Sequence, residues 1–250
     1  LDHPNFDTTN LSSFELKFST SAPLRAGIKR EIVARWPGKL LEIYGLTEGG
    51  GSTILDCAEF PEKLDSVGKP AEASDIRLID DDGREVPVGE IGEVVGISPG
   101  MMLGYYKRQD ATSDLLWLSP EGKVFFRTGD MGRFDEDGFL YLLDRIKDMI
   151  ISGGFNIYAA DLESVLIKHD EVADVAVIGV PSEQWGETPL GLVVKEPGSS
   201  VNEDELTAWA NDRLGKVQRL SAVEFRHDLP RSTIGKVLKR ELRSPYWKDA

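Results

Sequence analysis

The segment from residue 14 to residue 44 constrains the fold most, because its hydrophobic period changes twice. Phe14–Phe18 alternates apolar and polar side chains like a strand, and Pro23–Trp36 spaces its apolar residues like a helix. Pro37 and Gly38 then end the helix, and Leu40–Tyr44 has the pattern of a second strand. A strand, a helix and a strand in this order predict a parallel sheet.

The pattern changes to short strands separated by turn signals between about residues 64 and 143. Predicted strands lie at Ile76–Ile79, Gly92–Ile97, Val124–Arg127 and Phe139–Leu143. Strands of this length and spacing favour a small antiparallel barrel or sandwich.

A further change follows Lys147 and predicts a domain boundary near residue 145. Short strands are predicted at Met149–Ile151, Val172–Val180, Gly191–Val194 and Val223–Arg226, and helices at Ala160–Lys168, Glu203–Leu214 and residues 236–243. The predicted fold class is therefore α/β and α+β. It comprises part of an α/β domain at 1–63, a β-barrel-like subdomain at 64–144 and a compact α+β domain at 145–250.

Charge and cysteine content limit the partners and the compartment. The formal charge of −14 argues against nucleic acid or an anionic membrane as the main partner, and no apolar stretch is long enough to span a bilayer. A single cysteine, Cys57, excludes an internal disulfide and fits a reducing compartment, so we expect a cytoplasmic protein. Residues 213–243 nevertheless carry nine basic and three acidic side chains. This stretch indicates either a site for an anionic ligand or a solvated basic surface.

Four short polar motifs occur in order along the chain. They are Y-G-L-T-E at 44–48, R-T-G-D at 127–130, D-R-I-K-D at 144–148 and G-K at 235–236, with a glycine-rich turn at 152–154. In this order they resemble the AMP-forming acyl-CoA synthetases of the adenylate-forming superfamily. The resemblance implies an enzyme that activates a carboxylic acid with ATP and transfers the acyl group to coenzyme A.

The first motif follows a predicted strand, so its polar groups would lie at the carboxyl end of a parallel sheet, where ligands usually bind. The resemblance implies that Thr47 contacts the α-phosphate, that Glu48 helps to hold Mg²⁺ and that Tyr44 lies beside the adenine. A glycine-rich turn with an incidental Thr-Glu pair is the alternative. Ala22, in S-A-P-L at 21–24, resembles the segment bordering the adenine and acyl pocket, although the sequence alone indicates only a helix start.

The second and third motifs are predicted to bind the ribose. Asp130 follows the predicted strand end in a turn, where Gly129 permits close approach of a diol. The resemblance assigns the ribose to Asp130 and to Arg145, and it makes Lys147 the hinge of a mobile C-terminal domain.

The stretch from 144 to 163 resembles the family's interdomain segment nearly end to end. Gly153 and Gly154 would line the tunnel for the pantetheine arm of coenzyme A. Three residues, Phe155, Ala159 and Asp161, depart from common family choices and put only the local loop geometry in doubt.

The last motif, in L-P-R-S-T-I-G-K at 229–236, resembles the loop whose lysine closes over the active site, so Lys236 is the predicted catalytic residue. A point cation there would stabilise the charge that the attacking carboxylate and the α-phosphate share. Trp185 and Arg219 fall where related ligands contact the CoA nucleotide. A packing role for Trp185 and a solvated surface role for Arg219 stay open.

The resemblance covers only the back half of the family's length. We therefore expect a piece of a larger synthetase, inactive by itself, whose partners are its missing N-terminal half, a small carboxylic acid, ATP and CoA; a homodimer also stays open. Two other functions remain as alternatives. One is an adenylation enzyme that loads a carrier protein's phosphopantetheine, and the other is a non-catalytic interaction module. The sequence does not specify the acid.

Overall fold

The computed structural model describes residues 1–233 and 235–247. It divides into two compact units, Leu1–Leu142 and the chain from Leu143 onward. The division falls inside one strand, Leu140–Arg145. Each unit is described by itself below.

The first unit begins with a small mixed sheet. Its elements are β1 (Leu16–Thr20), α1 (Ala26–Arg35), β2 (Lys39–Gly45), β3 (Ser52–Asp56) and β4 (Lys69–Pro70). Strands β1 and β2 run parallel, with Leu16 opposite Lys39, which confirms the prediction from the strand-helix-strand pattern. Strand β3 returns antiparallel to β2 and was not predicted.

Helix α1 packs on one face of this sheet over a core of apolar side chains. The core consists of Leu40, Leu55, Cys57, Leu64 and Phe139, with Leu24, Ile32 and Val33 packed against it. Burial of each large apolar side chain contributes about 1.5–3 kcal/mol. Lys29 of α1 is buried within this packing and forms an ion pair with the buried Glu42 of β2. The Lys29 ammonium also donates to the Leu64 carbonyl at 2.6 Å, which satisfies it away from water.

The second sheet of this unit is antiparallel. It contains β5 (Asp75–Ile79), β6 (Ile91–Ile97), β7 (Leu116–Leu118), β8 (Val124–Phe134) and β9 (Leu140–Arg145), with α2 (Gln109–Ser113) before β7. The strand order is β5-β6-β8-β7, and β9 also pairs with β8. The pairings β5–β6, β6–β8 and β7–β8 are antiparallel, which confirms the predicted antiparallel arrangement, although β7 itself was not predicted.

Strand β8 is much longer than predicted. It runs through residues 128–130, which the sequence placed in a turn. The pairing with β6 shifts there, because Glu93 faces Met131 while Val95 faces Arg127, so β8 carries extra residues in a bulge. Gly129 lies in this bulge at φ +71°, in the left-handed region that glycine tolerates best.

The second unit is an α+β structure. After the end of β9 it contains β10 (Ile150–Ser152), β11 (Phe155–Ile157), α3 (Ala159–Leu166), β12 (Val172–Ser182), β13 (Gly186–Lys195), α4 (Glu203–Asn211), β14 (Ala222–Phe225) and α5 (Lys239–Arg243). The sheet order is β11-β10-β13-β12, and β14 pairs with β13 in parallel. Asn202 and Glu205 form a capping box that fixes the start of α4.

Helices α3 and α4 cover one face of this sheet. Their fully buried side chains include Leu162, Leu166, Leu206 and Ala210. A second apolar cluster contains Ile178 and Leu192 from the strands and Leu242 from α5. The predicted elements of this unit all appear, but β11 was not predicted. Some bounds were also wrong, because β13 begins at Gly186 and not at Gly191, α4 ends at Asn211 and not at Leu214, and α5 begins at Lys239 and not at residue 236. In the described residues, no helix is long and apolar enough to cross a membrane.

Candidate functional site

The polar residues of the first motif lie at the end of β2, as predicted. Tyr44 is the penultimate residue of the strand, and Thr47 and Glu48 form the turn that follows it. Thr47 is exposed. A glycine is required at the next position, because Gly49 has φ +78° and a Cβ there would lie 2.3 Å from the Gly100 carbonyl oxygen. The turn is therefore packed tightly against the loop that follows β6.

Tyr105 from that loop holds the side chain of Glu48. Its hydroxyl donates to Glu48 Oε1 at 2.7 Å, and the Met102 N–H donates to the Glu48 carbonyl at 2.8 Å. This hydrogen bond to the carboxylate, helped by partial desolvation, raises the pKa of Tyr105 above its ordinary value. Among the described residues, Tyr105 donates the one hydrogen bond to the Glu48 carboxylate, at Oε1. Glu48 Oε2 is therefore the oxygen that a ligand could contact. The sequence analysis missed Tyr105, which is 57 residues away in the chain.

Asp130 projects from the bulge of β8 instead of from a turn after a strand. Its N–H donates to Thr128 Oγ1 at 3.0 Å, and the Thr128 hydroxyl donates to the Val94 carbonyl at 2.9 Å. Thr128 therefore shapes the bulge. Asp130 is 8% exposed, and its Oδ2 accepts a hydrogen bond from the Tyr44 hydroxyl at 2.8 Å. The structure thus brings together two residues that belong to different motifs, 86 positions apart.

Ala22 does not lie at a helix start, which corrects the prediction. Helix α1 begins at Ala26, and its N-cap residue Arg25 is extended. Ser21 has φ +75°, Ala22 precedes Pro23 and is therefore disfavoured in the helical region, and Arg25 is extended, so the first helical residue is Ala26. The residues 21–25 are an irregular connection between β1 and α1.

The third motif forms a tight turn at the end of β9. Arg145 is the last residue of the strand, and Ile146–Asp148 forms a single 3₁₀ turn. Arg145 N–H donates to Asp144 Oδ1 at 2.8 Å. Lys147 is exposed, while its carbonyl oxygen accepts a hydrogen bond from Arg243 Nη1 at 2.9 Å.

Gly153 and Gly154 connect β10 and β11 in a two-residue hairpin. Their φ values of +57° and +84° match the turn geometry that suits paired strands. Trp185 packs directly on this turn, because its carbonyl accepts from the Gly153 N–H at 2.8 Å and a Cβ at Gly153 would lie 2.8 Å from Trp185 Cε3. The Trp185 ring is 51% exposed and Phe155 is 57% exposed. The hairpin therefore presents an aromatic surface to solvent.

Lys236 lies in a hairpin loop of its own, between β14 and α5. The Ser232 N–H donates to the Lys236 carbonyl at 2.8 Å, and the Lys236 N–H donates to Ser232 Oγ at 3.2 Å. Arg231 ties this loop to β12 through an ion pair with Asp174. Ile234 of the motif lies outside the described residues. Arg219 is exposed, directly after the 3₁₀ turn Lys216–Gln218.

The protonation state of Cys57 and the arrangement of possible metal ligands limit the chemistry of the site. Burial raises the pKa of Cys57 to about 11, so this thiol is protonated at neutral pH and is unsuited to nucleophilic attack. In the described part of the chain, no group of three or more His, Cys, Asp or Glu residues could hold a metal ion. A single carboxylate such as Glu48 is still compatible with Mg²⁺, which usually binds through one or two carboxylates together with substrate phosphates.

Comparison with known proteins identifies the family. The sequence model of the AMP-binding enzymes matches residues 1–106, and that of the AMP-binding enzyme C-terminal domain matches residues 161–236. The chain therefore belongs to the AMP-binding enzymes, which confirms the resemblance that the four motifs indicated.

Individual relatives agree. A feruloyl-CoA synthase from Amycolatopsis sp is 40% identical over 242 residues, covering 96% of this chain and 48% of that protein. A long-chain-fatty-acid–CoA ligase from Yersinia pestis is 39% identical, covering 97% of this chain and 42% of that protein. The crystal structure of ATP-bound MatB from Rhodopseudomonas palustris has a TM-score of 0.85 at 34% identity, over 93% of this chain and 45% of that one. The chain spans about half the length of the curated relatives it matches.

Proposed function

We propose that this chain is part of an ATP-dependent carboxylic acid–CoA ligase. In the first step a carboxylate oxygen attacks the α-phosphorus of ATP, forming acyl-AMP and releasing pyrophosphate. In the second step the CoA thiol attacks the acyl carbon, forming the thioester and releasing AMP. The hydrogen bond between Tyr44 and Asp130 carries this proposal, because it joins two of the family's nucleotide motifs in one partly desolvated site.

The residues of the first unit are assigned to the nucleotide. The Asp130 carboxylate accepts hydrogen bonds from the two ribose hydroxyls and is oriented by the hydrogen bond from the Tyr44 hydroxyl. The Tyr44 ring lies beside the adenine. Ala22, in the irregular connection, borders the adenine and the acyl group. Thr47 donates to the α-phosphate. Glu48 would hold Mg²⁺, which when bound supplies positive charge that neutralises the phosphates.

The residues of the second unit are assigned to catalysis and to CoA. Lys236 stabilises the charge that develops at the α-phosphate, and Arg145 donates to the ribose. Lys147 is the hinge about which the second unit, as a mobile domain, changes orientation between the two steps. The turn at Gly153 and Gly154 borders the pantetheine arm, and the exposed ring of Trp185 and guanidinium of Arg219 suit the CoA nucleotide.

The relatives' names support CoA, and not a carrier protein's phosphopantetheine, as the acyl acceptor. Feruloyl-CoA synthase and long-chain-fatty-acid–CoA ligase differ widely in the acid they are named for, so they do not define a single acid here. We place the reaction in the cytoplasm, in keeping with the buried thiol of Cys57. The missing N-terminal half of the enzyme would supply the rest of the triphosphate and acyl sites.

The test of the proposal is pyrophosphate release from ATP by the protein extended to the length of its relatives, assayed with aromatic, short-chain and long-chain acids. We expect acid-dependent release, followed by CoA-dependent release of AMP. Absence of acid-dependent release with every class of acid, from a protein that binds an acyl-AMP analogue, would contradict the enzymatic function. Absence of both release and binding would favour the interaction module.

A further inference from the structure

Two cations of the short C-terminal helix α5 lie against the 144–148 segment of the second unit. Lys239 and Arg243 are one turn apart on α5, so they project from the same face of the helix. Leu242 between them is buried in the apolar cluster formed with β12 and β13, which fixes the position of the helix. The two side chains reach different parts of the same segment.

Lys239 is buried among carboxylates. Its ammonium lies 2.9 Å from Glu163 Oε1 and 3.7 Å from Asp144 Oδ2, and only 15% of the side chain is exposed. Glu163 Oε1 also accepts the Val177 N–H at 2.7 Å, which fixes it to β12. Burial acts to lower the pKa of Lys239, but the charges of Glu163, Asp144 and Asp148 outweigh it and raise this pKa. Through these ion pairs, the charged Lys239 connects α5 to α3 and to the start of the 144–148 segment.

Arg243 contacts the backbone of the same segment. Its Nη1 donates to the Lys147 carbonyl oxygen at 2.9 Å, and its Nη2 lies 3.8 Å from Glu187 Oε1. The guanidinium also lies over the ring of Trp247, 5.5 Å from the centroid. The Arg243 side chain is 23% exposed, and its hydrogen bond to the Lys147 carbonyl lies at the exposed surface.

We infer that Lys239 and Arg243 are positioning residues of the hinge segment. Arg243 fixes the Lys147 carbonyl to α5, and Lys239 holds Asp144, on the other side of Lys147, in one of the two conformations of the hinge. Rotation about φ or ψ of Lys147 moves the Lys147 carbonyl together with Arg243, so this hydrogen bond persists. The same rotation moves Asp144 away from Lys239, because these two residues lie on opposite sides of Lys147, and it must therefore break their ion pair. Since α5 begins three residues after Lys236, the same helix links the catalytic loop to the hinge. The inference rests on the proposed function in one respect, namely that Lys147 is where the chain rotates.

The local part of the inference is tested in the 250-residue chain by hydrogen exchange and limited trypsin digestion. In Arg243→Met we expect amide exchange in residues 145–149, including Met149, whose N–H donates to the Arg145 carbonyl, to rise about fivefold to tenfold. Tryptic cleavage after Lys147 should rise in parallel. Arg240→Met is the matched control, because Arg240 is an exposed residue of the same helix.

Two outcomes would overturn this. Exchange at 145–149 that is equal in Arg243→Met and Arg240→Met shows that Arg243 does not hold the segment. A rise that extends equally to β12 and β13 shows general destabilisation instead. Arg243→Lys, which keeps a single donor, should give an intermediate rise and serves if the methionine variant does not fold.

The functional part is tested in the protein extended to the length of its relatives. Lys239→Met should change the ratio of the rates of acyl-AMP formation and thioester formation at least threefold, because its contact with Asp144 forms in only one conformation of the hinge, while Arg240→Met leaves this ratio unchanged. An equal loss in both steps would make Lys239 merely structural and contradict the inference. If the unsubstituted protein performs neither step, the proposed function fails, and the exchange data still decide whether Arg243 holds the segment.

Discussion

At the scale of single residues, the Tyr44–Asp130 hydrogen bond gives the most specific prediction about nucleotide binding. Asp130→Ala in the extended protein should raise the KM for ATP, because the ribose diol loses charge-assisted hydrogen bonds worth about 1.5–3 kcal/mol each. That corresponds to a roughly 10–150-fold change in binding per bond. Tyr44→Phe removes only the hydrogen bond that orients the carboxylate, so its effect on KM should be smaller.

A 2′,3′-dideoxy analogue of ATP checks this assignment. The analogue should bind the unsubstituted protein and Asp130→Ala with the same affinity, because it lacks the two hydroxyls that would donate hydrogen bonds to Asp130. An Asp130→Ala variant that still discriminates strongly against the analogue would show that Asp130 does not bind the ribose.

Tyr105 gives a second prediction at this scale. Tyr105→Phe removes the hydrogen bond to Glu48 Oε1 and should raise the Mg²⁺ concentration needed for half-maximal pyrophosphate release about threefold to tenfold. Tyr106→Phe is the matched control, because the neighbouring Tyr106 is 87% exposed. Equal Mg²⁺ requirements in the two variants would separate Tyr105 from metal binding.

The sequence analysis proposed Tyr44, Glu48 and Asp130 as candidates because each lies in a short motif with a recognisable string of residues. It did not identify Tyr105, because the contact with Glu48 joins segments 57 residues apart and the loop around Tyr105 has no periodic pattern. It also treated Tyr44 and Asp130 as separate groups. Tyr44 lies on β2 and Asp130 on β8, in two different sheets of the first unit, so their contact depends on the packing between those sheets.

At the scale of elements, the sequence predicted the type of most helices and strands but misjudged their ends. The string R-T-G-D at 127–130 has the composition of a turn, yet strand β8 continues through it because β6 supplies partners on both sides of the bulge. Helix α1 starts late because Ala22 precedes Pro23 and Arg25 is extended. These are effects of neighbouring strands and of backbone conformation, which local hydrophobic patterns do not record.

The hairpin between β10 and β11 yields a prediction with an internal control. Gly153→Ala and Gly154→Ala both place a side chain at positive φ, which costs about 1–2 kcal/mol each. Only Gly153→Ala also forces a methyl group against Trp185, because nothing lies within 4 Å of a Cβ at Gly154. We therefore expect Gly153→Ala to lose more stability in urea than Gly154→Ala and also to show a larger rise in the KM for CoA. Equal KM values would show that the Gly153–Trp185 contact does not form part of the CoA site.

Helix α3 yields a prediction about pH. Burial, and then the charge of Asp144, raise the pKa of Asp161 above its unfolded value. The folded state therefore binds this proton more tightly, and stability is lost as the pH rises through the raised pKa. Asp161→Asn removes that loss, so the variant should be more stable than the unsubstituted chain at pH 7, with the difference shrinking toward pH 4. A difference in urea midpoint that is the same at both pH values would contradict this explanation.

At the scale of the whole molecule, the chain consists of two units with separate cores, and the candidate groups are divided between them. Tyr44, Glu48 and Asp130 belong to the first unit, and Arg145, Trp185 and Lys236 belong to the second. The order of architectures was predictable, because hydrophobic period, turn spacing and the motifs all change at consistent places along the chain. Local sequence patterns do not predict a change in domain orientation. The proposed change depends on the hinge proposed at Lys147.

We propose that Lys236 acts in adenylate formation and not in thioester formation. The measurement is single-turnover kinetics of the two steps in the protein extended to the length of its relatives, with Lys236→Ala against the unsubstituted protein. Acyl-AMP formation should fall at least about 10²–10³-fold, as when one preorganised charge-stabilising donor is lost. Thioester formation from supplied acyl-AMP should stay within about threefold of the unsubstituted rate. Equal losses in both steps, or no loss in acyl-AMP formation, would show that Lys236 does not act specifically in adenylate formation.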